Sequence, residues 1–298
     1  MDQALADFLR HLGLERNASA HTVKSYREDL TQAVAFFRER VGPAVRPDQV
    51  TTRLLRAFLA WLHDQGYARA TISRRIAAVR SWCRFLCRQG VLDKNPADGL
   101  RGPKLDRKLP HFLNKADVER LLAVPPADTA LGLRDRAILE TLYSAGLRVS
   151  ELVGLELDDL DLGDGVATVR GKGKRERLAL VGDAAKDAIS QWLVARTALL
   201  EGIGRRSEAV FLNRNATRLS TRSVGRLLVK YLKQTGLDPR TTPHTLRHTF
   251  ATHMLDAGAD IRGVQELLGH KNLTTTQIYT HVTTQRLQDS YRKAHPRA

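Results

Sequence analysis

Cysteine is nearly absent from this 298-residue chain: Cys83 and Cys87 are the only two, four apart in a helical pattern with no Cys or His pair at metal-binding spacing nearby. That excludes a disulfide-stapled secreted scaffold and a cysteine-rich zinc module, and it points to core packing in a reduced, cytosolic protein. Long apolar runs are missing too. No segment approaches the ~20 apolar residues of a membrane-spanning helix. The opening MDQALADFLRHLGLERN lacks a basic stretch followed by an uninterrupted apolar one, so no export signal and no membrane partner are expected. A nucleotide-binding loop is lacking as well. The nearest approach, Gly165 to Gly173, has five residues between its first two glycines and Gly where Ser or Thr would hold magnesium, which excludes an NTPase.

Acidic charge is in short supply: 32 Asp plus Glu face 48 Lys plus Arg, for a net charge of +16. A chain with this balance is drawn to polyanions. Residues 1–108 hold 20 basic and 11 acidic residues, a surplus of +9, and the remainder carries +7. With both halves basic, one polyanion spanning both is a simpler account than a single basic tail.

The length favours two domains. Apolar residues recur every three or four positions over 19–38 (Val23, Tyr26, Leu30, Val34, Phe37), with Ser19 as the cap, then over 51–64 and 69–88, with a shorter helix over 2–12. No strand pattern precedes residue 100, so residues 1–98 read as a small helical bundle. Its 69–88 helix carries Arg69, Arg74, Arg75, Arg80, Arg84 and Arg88 off the apolar stripe; Arg74 and Arg75 are candidates for touching DNA. Residues 99–110, GLRGPKLDRKLP, mix Gly, Pro and basic residues without periodicity and read as a basic linker. In 111–298, helices are expected over 114–122, 132–144, 184–200, 220–234, 243–257, 260–268, 274–281 and 284–293, with a two-stranded hairpin where VATVR and RERLALV flank GKGK. The fold class is therefore mainly α with a small antiparallel β-sheet.

Six polar residues have a shared chemical logic. His244 and Arg247 lie three apart at the start of a helix opening at Pro243, whose N-terminus favours anions, with Leu246, Phe250, Met254 and Leu255 expected on the opposite side. Arg148, in AGLRVSEL, is three residues from Glu151, which can orient its guanidinium. Two planar guanidiniums suit the non-bridging oxygens of a phosphodiester transition state. Lys172, on the hairpin tip, is the natural general acid for a leaving 5′ oxygen. Tyr279 can attack phosphorus, but a phenol of pKa about 10 is only on the order of 0.1% ionised at pH 7, so His244 is the candidate proton acceptor and His270 a hydrogen-bond donor to the phosphate. A phosphotyrosine linkage stores the energy of the broken bond, so rejoining requires no metal, ATP or other cofactor.

Together AGLRVSEL, GKGKRER, HTLRHTFATH and LLGHKNLTTTQIYTH resemble the tyrosine recombinase (phage-integrase-like) family, and the whole chain is similar to its Xer-type site-specific recombinases. The resemblance implies a DNA-binding helical domain and an α+β catalytic domain over 111–298 that clamp double-stranded DNA, with Arg148, Lys172, His244, Arg247, His270 and Tyr279 as the catalytic set. It further implies a homo- or hetero-tetramer on two duplexes with a second Xer-type recombinase, a final helix packed on a neighbouring protomer, and resolution of chromosome dimers before cell division; a DNA translocase is a candidate activator, and whether one is required stays open. A mobile-element integrase, a type IB topoisomerase and a non-catalytic DNA-binding protein remain as alternatives.

Overall fold

A computed structural model of the chain describes residues 1–104, 111–171, 176–269 and 281–298, the side chains of 281–287 excepted. It forms two compact units, Met1–Lys108 and Leu109–Ala298.

The first unit is a bundle of four helices: α1 (Asp2–Leu14), α2 (Ala20–Val41), α3 (Thr52–Asp64) and α4 (Arg69–Arg88). Caps set two of the starts. Ser19 Oγ accepts from the Thr22 amide and Thr51 Oγ1 from that of Leu54, both at 3.2 Å, satisfying amides that have no partner inside the helix. The apolar stripes converge on Phe8, Phe37, Phe58, Leu55, Leu62, Ile76 and Trp82, all fully buried. Trp82 donates its indole N–H to the Ala4 carbonyl at 3.2 Å, so the polar edge of the largest core ring is satisfied while α1 is tied to α4. Cys83 is buried in this core, and burial pushes its thiol up to about 12.

The second unit comprises α5 (Lys115–Ala123), α6 (Ala130–Ser144), α7 (Val149–Gly154), β1 (Leu160–Asp161), β2 (Val166–Arg170), β3 (Glu176–Leu180), α8 (Asp183–Ile203), α9 (Thr221–Thr235), α10 (Pro243–Asp256), α11 (Ile261–Leu268) and α12 (His281–Ala294). α6 is the central helix, buried from Ala137 to Ser144. The sheet is antiparallel in the order β1-β2-β3, with Ala167 opposite Ala179 and Val169 opposite Arg177 on its buried face. The expected hairpin thus gains a third strand, whose two residues are too few for alternation to reveal.

α7 was not expected either. Six residues fall short of two helical turns, so periodicity cannot mark them; a cap does. Glu151 reaches back to the Arg148 amide at 2.8 Å. Leu255, placed in the core by its sequence, is 40% exposed because it lies about 100° around the helix from buried Met254. The expected helix at 274–281 falls, except for its last residue, outside the described residues. α12 turns its described face to its own unit. Tyr291 is buried with its hydroxyl 2.7 Å from Ser144 Oγ, and beyond the helix Arg297 forks onto Glu140 at 2.9 and 2.6 Å.

Candidate active site

Two of the catalytic candidates of the second unit, Arg148 and Arg247, meet at one buried carboxylate, that of Glu151. After α6 the chain reverses at Gly146, where φ is +55° and an added Cβ would lie 2.6 Å from the Phe250 ring; only glycine fits this turn. The turn delivers Arg148 to the start of α7, and Glu151 follows with a side chain only 1% exposed. Arg148 Nη1 donates to Glu151 Oε1 at 2.6 Å, while its guanidinium stays 42% exposed. From α10, buried Arg247 donates through Nη1 to the Gly146 carbonyl at 2.6 Å and lies 3.7 Å from Glu151 Oε2. Its Nη2 is bonded to the Leu268 carbonyl. A third guanidinium, Arg177 on β3, donates to Glu151 Oε2 at 2.9 Å and to the Leu267 carbonyl at 2.5 Å.

Three guanidiniums therefore share one carboxylate, a surplus of two positive charges among the described residues. Burial would raise the Glu151 pKa, but Arg177, the Arg148 amide and the Arg148 guanidinium outweigh it and hold the carboxyl below its ordinary value. Burial, then the like charges of Arg148 and Arg177, push Arg247 down to about 10, so it stays protonated at neutral pH. Among the described residues the Glu151 carboxylate fixes the three guanidiniums without matching their charge, an arrangement suited to an anion.

The structure thus brings Arg148 and Arg247 together through Glu151. His244 lies one turn before Arg247 on α10, exposed, just past the Thr242 cap. Lys172, His270 and Tyr279 lie outside the described residues. Sequence reasoning identified Glu151 as the partner of Arg148 but missed Arg177. The available signal was an arginine at an inward-facing position of a strand, where an apolar residue is the rule.

The family model described as "Phage integrase family" matches residues 111–286, and that described as "Phage integrase, N-terminal SAM-like domain" matches residues 5–90. This chain belongs to the phage integrase family. It is a tyrosine recombinase, an enzyme of site-specific DNA recombination. The recombinase is 47% identical to the tyrosine recombinase XerC of Natranaerobius thermophilus over 100% of both chains. It is 46% identical to that of Pelotomaculum thermopropionicum, over 98% of this chain and 97% of the relative. It is also 41% identical to the tyrosine recombinase XerD of Oceanobacillus iheyensis over 100% of both. Among solved structures, XerA recombinase matches with a TM-score of 0.51 and 28% identity over 100% of this chain and 99% of that one. XerH bound to palindromic difH substrate shares the fold, with a TM-score of 0.70 at 24% identity over 92% of this chain and 80% of that one.

In the first unit, the two arginines offered as DNA contacts differ in their surroundings. Arg74 is 49% exposed, donates to Ser25 Oγ at 3.1 Å and pairs with buried Asp29. Arg75 is 14% exposed, lies 3.6 Å from Asp29 and stacks 3.8 Å over the Tyr67 ring. Burial raises the Asp29 pKa, with Arg74 and Arg75 opposing the shift.

Proposed function

We propose that the recombinase cuts and rejoins DNA through a 3′-phosphotyrosyl intermediate on Tyr279. The observation that carries this reading is the meeting of three guanidiniums at Glu151, a surplus of two positive charges among the described residues. A phosphodiester carries one negative charge and its transition state a second, so the surplus is offset most fully at the top of the barrier. Arg148 and Arg247 grip the non-bridging oxygens, and His270 donates a further hydrogen bond. The Tyr279 oxygen bonds to phosphorus as its proton passes to His244, while the bond to the 5′ oxygen breaks and Lys172 protonates that oxygen. Rejoining runs the same steps backwards, with the 5′ hydroxyl of the exchanged strand as nucleophile.

In this reading residues 1–98 form the DNA-binding domain, 99–110 a basic linker and 111–298 the catalytic domain. The substrate is a double-stranded recombination site. Four protomers act on two duplexes in the cytoplasm, resolving chromosome dimers before division under the control of a DNA translocase. Oceanobacillus iheyensis has both a XerC, 43% identical to this chain, and the XerD already described, which favours a second Xer-type recombinase as partner over a homotetramer. Integration of a mobile element is less favoured, since the sequence relatives at 40 to 47% identity are Xer recombinases. Among the described residues no helix is long and apolar enough to cross a membrane.

The test is a nicked suicide substrate that traps the covalent intermediate. The wild-type chain should form a protein–DNA adduct, and Tyr279→Phe should bind the same DNA without forming one. An adduct that survives the substitution moves the nucleophile elsewhere.

A further inference from the structure

Arg177 stands outside the proposed catalytic set, yet its guanidinium reaches two parts of the site at once. It issues from β3, the strand that follows the segment carrying Lys172. Its side chain is only 8% exposed. One nitrogen, Nη2, donates to Glu151 Oε2 at 2.9 Å; the other, Nη1, donates to the Leu267 carbonyl at 2.5 Å. Leu267 belongs to the last turn of α11, from which the chain runs on to His270 and Tyr279.

The end of α11 is built around this side chain. Gly269 closes the helix in the left-handed region, at φ +62°, and an added Cβ would lie 2.7 Å from Arg177 Cδ and 3.1 Å from Nε. The backbone therefore passes over the arginine stem at a distance that excludes a side chain. Arg148 Nη2 lies 3.4 Å from the Gly269 carbonyl, so both arginines meet the last turn of α11 from the Glu151 side.

We propose that Arg177 is a positioning residue for strand cleavage, one fork that fixes the carboxylate holding Arg148 and the helix end leading to the nucleophile in a single register. The proposal rests on the catalytic reading above. A lysine keeps the charge but presents a single ammonium in place of the planar fork, so it cannot reproduce both parallel engagements. Loss of the tether lets the phosphate grip and the nucleophile segment drift apart, and a misplacement of about 1 Å costs on the order of 100-fold in rate.

The experiment measures single-turnover cleavage of a nicked suicide substrate at saturating DNA, together with DNA affinity and thermal melting, for wild type, Arg177→Lys and Tyr279→Phe. Arg177→Lys should melt cooperatively and bind DNA within roughly threefold of wild type, yet cleave about 100-fold more slowly. Cleavage within roughly threefold of wild type, or a loss explained entirely by weaker binding, overturns the proposal. Should Arg177→Lys fail to fold, the charge-free pair Glu151→Gln with Arg177→Met is compared with Glu151→Gln alone, at a temperature where both are folded. The pair should cleave at least roughly tenfold more slowly, because only it lacks the Leu267 tether; equal rates overturn the proposal. Failure of the catalytic reading looks different: wild type forms no adduct, or Tyr279→Phe still forms one.

Discussion

Replacing Glu151 by glutamine tests the electrostatic design of the site most directly. The carboxylate accepts from the Arg148 amide at 2.8 Å, Arg148 Nη1 at 2.6 Å and Arg177 Nη2 at 2.9 Å, with Arg247 Nη1 at 3.7 Å. Glutamine preserves the shape but keeps one acceptor oxygen and turns an NH2 toward donors. Three guanidiniums then lose the carboxylate they share. Two of them, Arg177 and Arg247, are 8% and 5% exposed, so water cannot replace the lost carboxylate. Breaking a buried pair by removing one partner costs about 3–5 kcal/mol. For a unit of this size each kcal/mol moves the melting temperature by about 2–4 °C, so the transition of the second unit should fall by roughly 6–20 °C. The pH dependence supplies an internal check. The folded carboxyl titrates below its unfolded value, so its stabilisation is fully present above the unfolded pKa of about 4.3 and is lost as pH falls through the folded value. The gap between wild type and Glu151→Gln should therefore be widest near neutrality and close on acidification. Thermal melts of both proteins over that range are the assay. A neutral-pH shift under about 2 °C, or a gap that does not depend on pH, would refute the claim that this carboxylate holds the cluster together.

Further outcomes concern other parts of the molecule. Gly146→Ala combines a left-handed backbone with a Cβ placed 2.6 Å from the Phe250 ring; urea denaturation should show a loss of about 2–4 kcal/mol. His295 stacks on Tyr291 at 4.8 Å between ring centroids and lies near Tyr143 and Phe250, and burial, then His253 and Arg297, push it down to about 3. A depressed histidine leaves stability intact above the unfolded pKa of about 6.5 and drains it as pH falls, by up to about 1.4 kcal/mol per unit. His295→Phe should accordingly flatten the melting profile between about pH 6.5 and 4.5, and an unchanged slope would count against the assignment. Arg74→Ala should weaken DNA binding across sequences and lower the slope of log affinity against log salt by about 1, as read by titrations at several salt concentrations.

Much of the architecture was legible from spacing. The stripe from Val23 to Phe37 and the caps Ser19 and Asn114 are local signals, and the helices they announce are present. α7 and β1 were not legible, since six and two residues are shorter than the periods that would reveal them. At the candidate site, the Arg148–Glu151 pairing could be read because three residues on a helical turn bring side chains together. Arg74 and Arg75 looked equivalent in sequence. They diverge because Arg75 lies over the Tyr67 ring, 14% exposed, while Arg74 remains 49% exposed.

Residue order alone determined that the chain is basic in both halves, that its helices are amphipathic, and that the residue types for phosphodiester transesterification are present, because composition and periodicity are local properties. Tertiary packing decided which charges meet. Nothing in the order of residues says that Arg177 on β3 and Arg247 on α10 share the carboxylate of Glu151, or that α11 must end on glycine to pass over an arginine stem. Those relations exist only where the sheet, α7, α10 and α11 close on one another and exclude water. Burial makes the Glu151 carboxylate strong enough to hold the three guanidiniums that meet on it.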